Sequence, residues 1–146
     1  MSQFITSTSP MPRGYAGQLT RGFFDNTVET KEADGSVAFG ALVKLGADGK
    51  VKAAAAAADA TAVYGFALRE YGQADASGVQ ATPFVGVLRR GYVAVAVAAG
   101  TAAPGGAVYL NATGAITAEK ASNTAVPGAV FCGAAEGGIA EIAFNI

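Results

Sequence analysis

The chain has 146 residues, 51% of them hydrophobic and only 14% charged, with a net charge of −1. That length buries a sizeable core in one domain, and the weak charge with no basic block excludes binding driven by phosphate neutralisation, so no nucleic-acid partner is expected. Histidine and tryptophan are absent and Cys132 is the only cysteine, which removes the commonest general base, the commonest transition-metal ligand, any intrachain disulfide and any thiolate zinc site.

The start, Met1-Ser-Gln-Phe-Ile5, lacks the basic end and long apolar run of a secretory signal. The longest apolar stretch without glycine, residues 93–99, is far short of a bilayer span. The reading is a soluble protein made in a cytoplasm, with no membrane partner. Residues 1–26 read as an extended N-terminal arm. Ser, Thr, Pro and Gly are interleaved there with Phe4, Ile5, Met11, Tyr15, Phe23 and Phe24, without a helical or strand period. Pro10 and Pro12 hold the backbone extended. A disordered tail rarely carries so much aromatic surface, so the arm is expected to dock on a neighbouring surface. Arg13 and Arg21 add the other residue type that anchors interfaces.

From Thr27 onward the pattern is strands and turns, read as a single β-sandwich domain over residues 27–146. Asp34-Gly35 and Asp48-Gly49 are turn signals. Between them Val37-Ala-Phe-Gly-Ala-Leu-Val-Lys-Leu45 predicts a strand with a glycine bend, and Lys50-Val-Lys-Ala53 pairs back on it. Residues 53–60, alanine broken only by Asp59, have helical propensity but are too short for an isolated helix. They read as a connection, as does the matching stretch 118–125. Further strands are expected at 63–68, 82–88 and 91–97, then at 107–110, 114–117, 129–132 and 139–144. Short strands with a turn signal every 8–12 residues or so mean a sandwich or a barrel.

These strands repeat. Residues 28–53 lie without a gap on residues 93–118, and Gly35/Gly100, Gly40/Gly105, Val43/Val108, Leu45/Leu110 and Gly49/Gly114 coincide. After a shift of two, Ala62-Val-Tyr64 matches Ala129-Val-Phe131. Turns and buried strand positions are duplicated, whereas chemical groups are not. The expected fold is therefore all-β with an internal duplicated β unit, the copies spanning about residues 27–70 and 92–137.

Enzyme templates fail for stated reasons. Ser–His and Cys–His pairs need a histidine. The carboxylates sit mostly in or beside turns, where solvation explains them. No glycine-rich run ends in Lys-Ser or Lys-Thr before a helix, and Gly133-Ala-Ala-Glu-Gly-Gly138 is followed by no helix. Calcium-loop spacing is missing. Asn111-Ala-Thr113 fits a glycosylation acceptor only in a secreted chain. Cys132, within Val130-Phe-Cys-Gly133, reads as a small core residue. Arg89-Arg90 places two cations at a strand entry, either as a solvated turn or as a partner-facing patch. No catalytic residue, cofactor or metal is expected.

The Gly-bounded hairpins Val43-Lys-Leu-Gly-Ala-Asp-Gly49 and Val108-Tyr-Leu-Asn-Ala-Thr-Gly114, the strands Val63-Tyr-Gly-Phe-Ala-Leu68 and Arg90-Gly-Tyr-Val-Ala-Val95, and the Ser/Thr/Pro-rich start carry a family likeness. The chain resembles the cement or decoration proteins of tailed-bacteriophage heads. That resemblance implies a small, nearly all-β virion protein, a sandwich or jelly-roll-like barrel, made in the host cytoplasm, on the outer face of the capsid. Its implied partners are the major capsid protein and itself, as a homodimer or homotrimer that bridges capsomers. The residues expected at such contacts are Phe4, Ile5, Arg13, Tyr15, Arg21, Phe23, Phe24, Arg89 and Arg90. The rival reading is a receptor- or carbohydrate-binding module of a phage head or tail fibre. A small hydrolase ranks last because histidine is absent.

Overall fold

A computed structural model describes residues 14–69 and 83–146. Short runs of Val, Leu and Ala between glycine turns build the strands β1 (Thr27–Glu32), β2 (Leu42–Leu45), β3 (Val51–Ala53), β4 (Val63–Leu68) and β5 (Phe84–Ala96). They continue as β6 (Ala107–Leu110), β7 (Ile116–Thr117), β8 (Thr124–Phe131) and β9 (Ile139–Phe144). All pair antiparallel in one curled sheet ordered β3-β2-β4-β5-β9-β8-β6-β7, with β1 also on β5. The fold is an all-β, barrel-like sandwich.

β5 is the hinge of this order. Residues 84–90 pair with β1 and residues 86–88 with β4, whereas residues 91–96 pair with β9. The first half of β5 thus closes a unit ordered β3-β2-β4-β5-β1, and its second half opens another ordered β7-β6-β8-β9-β5. Residues 28–53 supply β1, β2 and β3 of the first unit, residues 93–118 supply the end of β5 with β6 and β7 of the second, and the two units share β5. Two strands were expected here, at 82–88 and 91–97. They are continuous because the ladder passes over a bulge at Arg89 and resumes where Arg90 pairs with Thr27, and Gly91, at φ +137°, bends the strand without ending it.

The expected correspondence holds over the hairpins: Lys44 pairs with Lys52 as Tyr109 pairs with Thr117. It slips by one residue in the opening strands. Asp34 donates its N–H to Val51 O, and Ala98 donates to Ile116 O, so Asp34 corresponds to Ala98. The gapless alignment had placed Ala98 on Ala33.

Alternate residues of the first unit face opposite ways, and both faces are buried. Leu42, Phe66 and Leu88 pack against Val93, Val108, Leu110, Phe131, Ile142 and Phe144 of the second unit. Phe66 and Phe144 meet edge to face, with ring centroids 5.1 Å apart. On the other side Val37, Val43, Val51, Ala67, Val85 and Val87 form a smaller core. Val37 and Phe39, expected within a strand, are buried in the turn before β2. The alanine-rich connection is one 3-10 segment, Ala57–Ala62. Asp59 fixes it, accepting the N–H of Ala55 at 2.9 Å and of Ala56 at 3.2 Å, and pairing with Lys44 Nζ at 2.7 Å. Those bonds, Lys44 foremost, hold the Asp59 carboxyl below the usual range.

Candidate binding surface

Residues 17–20 are built into the sheet. Val97 donates to Gly138 O beside β9, so Tyr92 and Ala94 present their backbone groups to the opposite edge of β5. Gly17 and Thr20 donate to Ala94 O at 2.8 Å and Tyr92 O at 3.4 Å, and Ala94 donates to Gln18 O at 2.9 Å. Gly17 also accepts the Arg69 N–H at 2.9 Å. A β-carbon on Gly17, whose φ is +87°, would stand 2.8 Å from that same nitrogen.

Asn26 ties this segment to the bend in β5. Its Oδ1 accepts the Tyr92 N–H at 2.9 Å, and its Nδ2 donates to the carbonyls of Arg21 and Gly22 at 3.2 and 3.0 Å. Arg21 reaches across to β9, donating from Nε to Glu141 Oε2 at 3.1 Å and from Nη2 to Glu141 Oε1 at 2.8 Å. Its guanidinium lies 4.2 Å from the Tyr92 ring centroid. The bidentate pair raises the Arg21 pKa and lowers that of Glu141. Cys132 is half-buried, and burial first, then the neighbouring Glu141, pushes its thiol up. That environment disfavours a nucleophile.

Tyr15 is 43% exposed, with the Arg69 guanidinium 4.8 Å from its ring centroid. Tyr15, Leu19, Arg21, Val28, Leu68 and Arg69 line a groove of about 680 Å³. Gln18 and Asn26 line it too, so apolar and polar side chains share its wall. Phe24, in the turn Phe23–Asp25, is 95% exposed.

Of the expected contact residues, the structure brings Tyr15 and Arg21 to one groove. Arg89 and Arg90 stand within β5, not at a strand entry. Arg89 lies 3.7 Å from the Tyr64 ring centroid and 3.9 Å from Glu29 Oε1, while the Tyr64 hydroxyl donates to Glu29. Lys31 stands 5.7 Å from the same ring. Arg90 is exposed. Phe4, Ile5 and Arg13 lie outside the described residues, as does the side chain of Phe23. Sequence reasoning did not single out Asn26, Tyr64, Arg69 or Glu141. Only Glu141 carried a local signal, as the one charge inside an otherwise apolar strand.

No cluster of metal-ligating side chains occurs among the described residues, and none of their helices is long and apolar enough to cross a membrane. The family described as "Structural cement protein (E217 gp24/Pam3 gp6)" matches residues 4–145. No curated protein matches the chain. A solved chain from "The capsid of Myoviridae Phage XM1" shares the fold, with a TM-score of 0.75 over 99% of this chain and 98% of that one, at 20% identity.

Proposed function

Because the chain belongs to the phage structural cement protein family, we propose that it binds the outer surface of a phage capsid and stabilises the shell by bridging capsomers. The single observation that carries this is the family match, which spans residues 4–145. Its partners in this reading are the major capsid protein and further copies of itself, with no nucleic acid, membrane or cofactor involved. The protein works without catalysis. Affinity comes from modest apolar and hydrogen-bonded contacts multiplied over the many equivalent sites of one shell.

The contact residues we assign are the exposed Tyr15, Arg21, Phe24 and Arg90, together with Phe4, Ile5, Arg13 and Phe23. Arg89 belongs to this set through its neighbour Arg90. The arm and the domain meet at residues 17–20, which complete a sheet edge, and Phe4, Ile5 and Arg13 precede that segment in the chain.

Quantitative mass spectrometry of purified virions tests the role. Hundreds of copies, in simple ratio to the major capsid protein, are expected. A dozen or fewer would move the protein to a tail or fibre. Deleting residues 2–13 tests the arm: a folded truncation that binds expanded shells as tightly as the full chain would remove it from the contact.

A further inference from the structure

Among the described residues, half of the backbone hydrogen-bonding groups of β1 meet no partner strand. Ala33 donates to Pro83 O at 2.6 Å, and the pairings Lys31 with Val85 and Glu29 with Val87 continue that alternation along β5. The N–H and C=O groups of Val28, Thr30 and Glu32 therefore point to the other edge. Among the described residues no strand pairs with them there. The open stretch stops where Asp34 donates to Val51 O. In the second unit the corresponding edge, presented by Tyr92 and Ala94, is filled by residues 17–20. One copy of the duplicated edge is filled by residues 17–20, and the other meets no strand among the described residues.

The sequence of β1, Thr-Val-Glu-Thr-Lys-Glu, is complementary to itself. Laid antiparallel on a second copy about a two-fold axis at Thr30, it sets Thr30 opposite Thr30 as a hydrogen-bonded pair, with Val28 opposite Glu32. Glu29 then faces Lys31 twice, in the narrow pairs where side chains approach closest. Moving the axis to Glu29 or to Lys31 keeps the outward groups aligned but opposes like charges, so charge selects the Thr30 register. Glu29 and Lys31 keep 42% and 32% of their side-chain surface exposed, enough to meet a partner.

We infer that β1 pairs with β1 of a second copy across this two-fold, joining two sheets into one. The inference rests on the reading that the protein self-associates, and it names the surface.

Cysteine trapping decides it. In a Cys132→Ala background, Thr30→Cys places the two thiols on residues whose Cα atoms lie about 5.5 Å apart in such a pair, within disulfide range. Val28→Cys leaves its counterparts roughly 13 Å apart along the strands. Under mild oxidation, free in solution and on shells, the Thr30→Cys dimer is expected at least about tenfold faster than the Val28→Cys dimer. Equal rates, or a disulfide-free Thr30→Cys in a chain that sedimentation finds oligomeric, would overturn the β1 contact and leave self-association standing. A chain monomeric both free and on shells would overturn self-association itself. Thr30→Pro removes an outward N–H that no strand among the described residues pairs with. It should retain the thermal unfolding profile and lose the dimer; a Thr30→Pro dimer of unchanged affinity would count against the pairing.

Discussion

Arg21 grips Glu141 through two hydrogen bonds, at 3.1 and 2.8 Å, and so joins the segment at residues 17–20 to β9 across 120 positions of sequence. Glu141 keeps only 14% of its side chain exposed, whereas Arg21 keeps 46%. Solvent screening on the arginine side limits such a pair to about 1 kcal/mol or less. The pair acts as a clasp on an edge segment, and the core does not depend on it.

Opening that clasp should free the edge. Glu141→Gln is expected to raise amide exchange at Ala94, whose N–H is held by Gln18 O, by about threefold to fivefold at neutral pH. Glu141 titrates below the usual carboxylate range because Arg21 favours its charged form. Its contribution is therefore complete above the ordinary carboxylate pKa and is lost as pH falls through the lowered folded-state value. Protection at Ala94, corrected for intrinsic exchange, should converge between the two proteins under acid conditions. Equal protection at neutral pH would show that the backbone bonds alone hold the segment.

The bend in β5 depends on Gly91 having no side chain. A β-carbon there would lie 2.1 Å from Asn26 Oδ1 and 2.9 Å from Asn26 Cα, at a φ of +137° that L residues rarely adopt. Gly91→Ala should cost at least about 2 kcal/mol, read as a lower urea midpoint. Asn26→Ala costs less alone, and the double variant should be less destabilised than the sum, because one clash partner is gone. Strict additivity would mean that the two residues do not act as one joint.

The duplication supplies a matched pair of controls. Gly49 and Gly114 occupy equivalent turns at φ +80° and +83°. A β-carbon at Gly49 meets nothing within 4 Å, whereas one at Gly114 would stand 2.2 Å from Ala54 O. Gly49→Ala should therefore carry only the left-handed backbone cost, about 1–2 kcal/mol. Gly114→Ala adds a backbone clash between the two units and should unfold at clearly lower denaturant. Equal midpoints would mean that the contact at Ala54 yields freely.

Much of this architecture was legible because repeated turns are local. Gly40 and Gly105, or Gly49 and Gly114, announce the same hairpin wherever they sit, and the equivalent Val43 and Val108 between them are buried in both copies. What stayed hidden is where one element serves two neighbours. β5 read as two strands because Arg89-Arg90-Gly91 resembles a break, yet its ladder partners are β1 on one side of Gly91 and β9 on the other. β1 itself went unread, since three of its six residues are charged and Glu29 and Lys31 are held by Tyr64 and Arg89 through tertiary contacts. The arm's aromatics were conspicuous in sequence. That residues 17–20 complete a sheet edge was not, because the bonds are backbone bonds to Tyr92 and Ala94.

Cys132 offers a probe of the clasp whose sign separates electrostatics from access. Its thiol titrates above the ordinary value, first through burial and then through Glu141, with Arg21 opposing both. Since the thiolate is the reactive species, maleimide labelling at pH 8 should be slower than for an unstructured cysteine peptide. Glu141→Gln removes an anion that disfavours the thiolate, so labelling should accelerate. Arg21→Ala removes a cation and leaves Glu141 unpaired beside the sulfur, so labelling should slow. Both substitutions loosen the same clasp, and a change in access alone would speed both. Rates that rise together would therefore assign the slow labelling to burial; rates that diverge, with the labelling pKa moving down in Glu141→Gln and up in Arg21→Ala, would place the charge pair in control of the sulfur.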